Sequence, residues 1–163
     1  MNNDILNKEA SLEKAKSICE NWRKENKKIV FTNGCFDIIH AGHVTYLQQA
    51  KNLGDYLVLG LNSDKSIQNL KGPKRPLTCL KERIIVLSSL VMIDLIVVFD
   101  ELRPNNLIAE LKPDIHVKGG DYKPEELPEY PIVKGYGGEV RILPFLPGAS
   151  TTGLINKIIE KHK

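Results

Sequence analysis

Cysteine is scarce and unpaired in this sequence: Cys19, Cys35 and Cys79 are the only three among 163 residues. An odd number at wide spacing excludes a disulfide framework, and no two stand at the short interval of a structural zinc site, so reduced, structural thiols are expected. Cys35 alone sits beside a motif, and with no activating partner near it in sequence a nucleophilic role is not expected. No apolar run approaches the roughly 20 residues that span a bilayer. Met1-Asn2-Asn3-Asp4 has neither the basic nor the apolar region of a signal peptide, so a cytoplasmic location without membrane contact is expected. Charge of one sign is also not concentrated anywhere. The 23 Lys and Arg residues are scattered among 20 Asp and Glu, leaving a net charge of +3 and no basic stripe. Nucleic acid is therefore not an expected partner, and small anions are. Internal repeats and low-complexity tracts are absent as well.

What is present is an alternation of two periodicities. Ser11 to Asn26 spaces Leu12, Ala15, Cys19 and Trp22 as one helical face. Lys28 to Thr32 reads as a short buried strand that ends at Asn33-Gly34, a pair that favours a turn. A helix through Val44, Leu47 and Lys51 follows, with Gly54 expected as its left-handed cap. Tyr56 to Leu61 is a nearly continuous apolar run, the signature of a parallel strand covered on both faces. The polar stretch Gly72 to Pro76 interrupts the alternation. It resumes with a helix over 80–90, a strand over 95–99, a helix started by Pro104, a strand over 114–118, a fifth strand over 139–143 and a last helix from Ser150. That last helix carries Leu154, Ile155, Ile158 and Ile159 on one stripe. The pattern predicts an α/β, Rossmann-like, doubly wound and mainly parallel five-stranded sheet with helices on both faces. One compact domain is expected, with a helix in residues 1–27 packed on a catalytic domain of residues 28–163.

In such folds ligands bind at the carboxyl ends of strands. Three segments rich in Gly, His and hydroxyls fall there: Thr32 to His43, Val117 to Tyr122 and Pro147 to Thr152. His40 and His43 stand three apart around Gly42, so one helical turn brings both imidazoles together at a helix N-terminus, where anions are favoured. Gly42 permits close approach of a phosphate to the backbone. The arrangement reads as a phosphate clamp. A zinc site from Cys35, His40 and His43 is the competing reading, without the usual paired ligand spacing. His116, inside an apolar strand, reads as a satisfied structural residue, and His162 as solvated.

Thr32-Asn33-Gly34-Cys35-Phe36-Asp37-Ile38-Ile39-His40-Ala41-Gly42-His43 resembles the HxGH signature of the cytidylyltransferase-like superfamily, and Ser150-Thr151-Thr152 resembles its C-terminal signature. Further stretches, Gly60 to Asp64, Leu70 to Pro73 with Arg75-Pro76, Val117 to Tyr122 and Gly137 to Val140, resemble the heptose 1-phosphate adenylyltransferases within it. Two stretches depart from that pattern: Leu102-Arg103, where the family has an acidic residue and Thr before the Pro, and the Pro-rich Leu127 to Pro131.

The resemblance implies transfer of AMP from ATP to D-glycero-β-D-manno-heptose 1-phosphate, giving ADP-heptose and pyrophosphate for lipopolysaccharide core precursors. It implies catalytic roles for His40, His43 and Lys71. Nucleotide contacts are implied for Thr32, Asn33, Gly34, Phe36, Asp37 and Gly42, then for Arg83, Lys118, Gly119 and Asp121, and finally for Ser150, Thr151 and Thr152. Arg75 stands beside Lys71 as a second cation for phosphates, and an exposed position on a helix face is the other reading of Arg83. Mg²⁺ is implied as a cofactor held mainly by the phosphates, with no protein side chain as ligand. A homodimer is implied, and a separate heptose kinase acting before a stand-alone transferase. Two alternatives remain open at this level: a cytidylyltransferase acting on glycerol 3-phosphate or another alcohol phosphate, and a non-catalytic nucleotide-binding module.

Overall fold

The computed structural model describes residues 8–144, 146, 148 and 150–162. Met1 to Asn7 lie outside them, as do Phe145, Pro147 and Ala149 of the glycine-rich segment before the last helix. Five strands, β1 (Ile29–Gly34), β2 (Tyr56–Asn62), β3 (Leu95–Phe99), β4 (Ile115–Gly119) and β5 (Glu139–Leu143), pair in parallel in the order β3-β2-β1-β4-β5. Seven helices accompany them: α1 (Leu12–Lys24), α2 (Ala41–Lys51), α3 (Asp64–Lys71), α4 (Leu80–Ser88), α5 (Asn105–Leu111), α6 (Tyr130–Gly135) and α7 (Thr151–Lys161).

Side chains alternate across β1, and that alternation divides the core. Ile29 and Phe31 point to one face, where they pack with Ala15 and Cys19 of α1, Leu107, Ile108 and Leu111 of α5, and Val133 of α6. Val30 points to the other, against Leu47 and Ala50 of α2 and Leu87 of α4. The sheet is thus covered on both faces, as its apolar strands require. Burial also pushes the Cys19 thiol up to about 11, so it is an inert packing group.

Several elements differ from the sequence expectation, each for a local reason. Asn33-Gly34 makes no turn: both residues extend β1 and pair with Gly60 and Leu61 of β2. Gly54 is not a left-handed cap, because α2 ends at Asn52. Its lack of a side chain matters for packing instead, since a Cβ there would meet Val30 Cγ2 at 2.7 Å and the Lys28 carbonyl oxygen at 2.9 Å. α3 was hidden because it buries only Ser66 and Ile67, too little to draw an apolar stripe. α6 was hidden by Pro131, which is compatible with a helix only in its first turn, where it sits. The apolar stripe of α7 is not buried in this chain: no α7 residue is, and Ile158 and Ile159 are exposed.

Two side chains tie the loops at the carboxyl edge of the sheet to one another. Arg83, read from sequence either as a phosphate ligand or as an exposed helix residue, is fully buried. Its Nη1 donates to the carbonyls of Cys35 (2.7 Å) and Asn62 (2.8 Å), its Nε donates to the Thr78 carbonyl, and its Nη2 pairs with Asp64 at 2.7 Å. One guanidinium thereby joins the loop after β1, the end of β2, the start of α3 and the approach to α4. Asp37 does the same for the stretch before α4: it accepts from the amides of Leu77 and Thr78 and pairs with Arg75 Nε at 2.6 Å. Burial alone would raise the Asp37 carboxyl, but those two amides and the Arg75 guanidinium outweigh it and hold it below its ordinary value.

Arg83→Met leaves the buried Asn62 carbonyl without its charged donor, and should cost about 2–4 kcal/mol in urea unfolding. An unchanged midpoint would show that the loops hold together without it. For Asp37 the sign follows from its lowered folded value. The stabilisation is present above the ordinary 3.8 and is lost as pH falls through the folded value. Asp37→Asn should therefore be less stable than the parent near neutrality, and the gap should narrow as pH falls below 3.8; urea titrations of both proteins along a descending pH series check it.

Candidate functional site

The strand order changes direction between β1 and β4: from β1 the chain crosses one way to β2, and from β4 the other way to β5. Loops leaving the carboxyl ends of β1 and β4 therefore part, and a crevice opens between them. It holds a cavity of about 700 Å³. Its walls come from the loop after β1, the start of α2, the end of α3, the end of β4 and the start of α7.

The histidine pair occupies the α2 end of that cavity. His40 is the residue before the helix and His43 lies in its first turn, with the rings stacked at 3.9 Å between centroids and 23° between planes. The Nδ1 atoms of both rings are buried and have no hydrogen-bond partner among the described residues. Burial, and then the adjacent His40, lower the His43 pKa to about 4, with Lys71 adding to the drop and the Ile38 backbone opposing it. His43 is therefore a neutral imidazole at neutral pH, free to donate one hydrogen bond to an oxyanion.

Phe36 fixes where that ring lies. It adopts a left-handed backbone with φ of 45°, a conformation disfavoured for a bulky residue. Its ring turns back over Gly34, where a Cβ would meet it at 2.7 Å, and packs against His43 at 5.1 Å. Gly34 is thus needed for the close approach of a ring, not for a turn.

Most of the residues singled out from sequence line this one cavity. Asn33, Gly34, Phe36, Asp37 and Gly42 come with the histidines from one side. Lys71 and Arg75 bring positive charge from the α3 end, and Lys118 and Gly119 close the β4 wall. Ser150, Thr151 and Thr152 line it at the start of α7, where the Ser150 hydroxyl accepts from the Gly153 amide as the helix cap. A helix N-terminus with free amides and hydroxyls favours anions, so α2 and α7 both present such an end to the same space.

Three residues lie elsewhere. Thr32 is buried behind the wall, bonded to the Tyr46 hydroxyl at 2.6 Å and donating to the Val117 carbonyl at 3.0 Å. Arg83 does not line the cavity, and its donors are engaged by the loops described above. Asp121 borders a separate hollow with Gly120, Tyr122 and Pro144. Gly120 has a φ of 147° and a Cβ there would meet the Tyr122 ring at 2.2 Å, so this turn admits only glycine.

Cys35 and Gly148 line the cavity from within two of the segments singled out from sequence, and Tyr46 and Leu146 line it from outside them. Tyr46 carried no signal because it falls on the buried side of an ordinary helix; burial pushes its phenol up, which keeps it protonated. Among the described residues no three of His, Cys, Asp and Glu converge as a metal site, so Cys35, His40 and His43 do not form one. His116, expected to be satisfied, is buried beside Phe31 with neither ring nitrogen bonded to a described residue. Burial lowers its pKa to about 3, so it stays neutral.

Comparison with known proteins agrees with this geometry. Residues 31–142 match the family model described as cytidylyltransferase-like. The chain is 51% identical over 151 residues to the bifunctional protein HldE of Syntrophotalea carbinolica, covering 93% of this chain and 31% of that protein. It is 53% identical over 145 residues to HldE of Geobacter metallireducens, covering 89% and 30%. The chain thus spans less than a third of the length of these relatives. A solved structure of a lipopolysaccharide core biosynthesis protein from Thermoplasma volcanium superposes with a TM-score of 0.61 at 30% identity, covering 74% of this chain and 97% of that one. A pantoate-β-alanine ligase from Francisella tularensis shares the fold at a TM-score of 0.57 and 16% identity, covering 93% and 77%. The family match spans the sheet from β1 into β5 and takes in the stacked histidines, and the chain belongs to the cytidylyltransferase-like family.

Proposed function

We propose that this chain is a nucleotidyltransferase that moves AMP from ATP to D-glycero-β-D-manno-heptose 1-phosphate, releasing pyrophosphate and ADP-heptose. The observation that carries the reading is the meeting, in one cavity, of the stacked His40–His43 pair with the α7 start and the cations Lys71, Arg75 and Lys118. The heptose acceptor rests on the sequence stretches quoted above, and on likeness to proteins named for HldE and for lipopolysaccharide core biosynthesis.

A sugar 1-phosphate is already an anionic nucleophile, so its attack on the α-phosphorus needs alignment and charge neutralisation rather than a general base. The cavity suits that demand. Among the described residues its one carboxylate, Asp37, is engaged with Arg75 and two amides. In this reading an acceptor phosphate oxygen bonds to the α-phosphorus while the bond to the β-phosphate oxygen breaks. His40 and His43 hydrogen-bond the triphosphate where charge builds up, and Lys71 with Arg75 offsets it. Ser150, Thr151, Thr152 and the α7 amides hold the β and γ phosphates that leave as pyrophosphate. Asn33, Gly34, Phe36, Gly42, Lys118 and Gly119 shape the rest of the nucleotide seat, and in this reading Asp121, two residues beyond Gly119 and outside the cavity lining, offers its carboxylate to the ribose hydroxyls. Thr32, Asp37 and Arg83 act from behind this wall by holding the loops that form it.

The donor set fits Mg²⁺ arriving on the phosphates, because the cavity offers imidazoles, hydroxyls and cations rather than free carboxylates. The ion would add charge neutralisation on the triphosphate. In the same reading the enzyme is cytoplasmic, with a homodimer as its working form and a separate kinase supplying the heptose 1-phosphate. Among the described residues no helix is long and apolar enough to cross a membrane.

Purified protein with Mg²⁺ should release pyrophosphate from ATP only when heptose 1-phosphate is present, and His43→Ala should lower the rate by roughly 10²–10³-fold. Release from CTP with glycerol 3-phosphate would move the assignment to an alcohol-phosphate cytidylyltransferase. Binding of nucleotide without release from any pair would leave a non-catalytic module. Analytical ultracentrifugation of the same preparation should give twice the chain mass, and a monomer that is active would remove the dimer from the reading.

A further inference from the structure

Glu129 is 3% exposed, yet it lies among apolar neighbours, with Leu127, Tyr130 and Val133 packed into the core beside it. Its Oε1 is 3.7 Å from the Lys118 ammonium, and its Oε2 is buried with no hydrogen-bond partner among the described residues. Lys118 in turn donates to Asn33 Oδ1 at 2.9 Å and reaches the cavity wall. A buried carboxylate with one oxygen unbonded is a poor device for stability, where an apolar residue would serve as well or better. Its placement makes sense through the one cation it faces among the described residues, Lys118.

We propose that Glu129 is a positioning residue for the transfer: its buried carboxylate holds the Lys118 ammonium at the cavity wall between β1 and β4. This rests on the reading of Lys118 as a cation of the nucleotide seat, and adds to it the residue that keeps that cation in place. Glu129 precedes α6, in the Leu127 to Pro131 stretch that departs from the family pattern, so the sequence alone offered no reason to connect it with the site.

The charged and titratable groups around Lys118 make the role measurable. Burial lowers its pKa, and Arg103 from the loop before α5 lowers it further. Glu129 opposes both through its charge, at the ion-pair distance given above, and Cys35 in the loop after β1 acts in the same direction more weakly. His116, two residues back on β4, is held neutral by burial and by Lys118 itself. Glu129 is thus the main group that keeps Lys118 protonated in a site that otherwise favours loss of the proton.

The test reads Lys118 directly. Its acetylation by acetic anhydride is followed against pH by mass spectrometry of the full-length protein, which needs no catalytic turnover. Glu129→Gln should move the midpoint of Lys118 labelling down by about one pH unit or more, and Glu129→Asp, which keeps the charge at longer reach, by less. In pyrophosphate-release assays the alkaline limb of the rate profile should move down in the same order of variants. Identical Lys118 labelling in parent and Glu129→Gln overturns the proposal, whatever the activity. A shifted labelling curve with an unmoved alkaline limb also overturns it, because Lys118 is then held but not used. If Glu129→Gln does not fold, Glu129→Asp decides by the same two readouts. Should the parent release no pyrophosphate from any substrate pair, the reading of function fails while the labelling still decides whether Glu129 holds Lys118.

Discussion

The carboxyl edge of this sheet depends on the guanidinium of Arg83. Parallel strands end in loops that share no backbone hydrogen bonds with one another, so something else must set their spacing. A buried side chain with five donors in a rigid fork can do so, and Arg83 spends them on Cys35, Asn62, Thr78 and Asp64. Because those acceptors belong to four separate segments, the cation converts independent loops into one frame. Asp37 extends the frame through Arg75, Leu77 and Thr78. The position of the histidine helix relative to the α3 end of the cavity follows from these contacts.

Within that frame, the cavity gathers positive charge and withholds negative charge. Lys71, Arg75 and Lys118 face it, and the one carboxylate among its described lining residues is paired in place with Arg75. Desolvation keeps the His43 imidazole uncharged, so it can donate a hydrogen bond without adding to the repulsion among the cations. A polyanion is the ligand such a site suits, and two helix N-termini add partial positive charge without titratable groups. The pairing of Glu129 with Lys118 follows the same logic behind the wall, where the charge of a buried acid opposes the effect of burial on a cation.

β2 and β3 were legible as short, continuous apolar runs, which also pointed to a parallel sheet, whereas β4 and β5 alternate polar with apolar residues and were legible by their place between helices and glycines. β1 nevertheless runs past Asn33-Gly34, since turn preference is local while pairing with Gly60 and Leu61 is not. α3 and α6 escaped notice for want of an apolar stripe in one and the presence of Pro131 in the other. The exposed stripe of α7 shows the converse: periodicity reports which residues can be buried, not whether this chain alone buries them.

The sequence by itself determined the α/β class, the stacked histidine turn and the run of hydroxyls at the start of α7, because each is encoded by residues within a few positions of one another. Only the tertiary structure decided that these segments line a single cavity, that Arg83 and Thr32 stand behind its wall, and that Tyr46 and Leu146 belong to it. It alone brought Glu129 to Lys118. The physical reason is separation along the chain: contacts between residues dozens of positions apart are set by strand order and by the crossing of loops, and no local spacing records them.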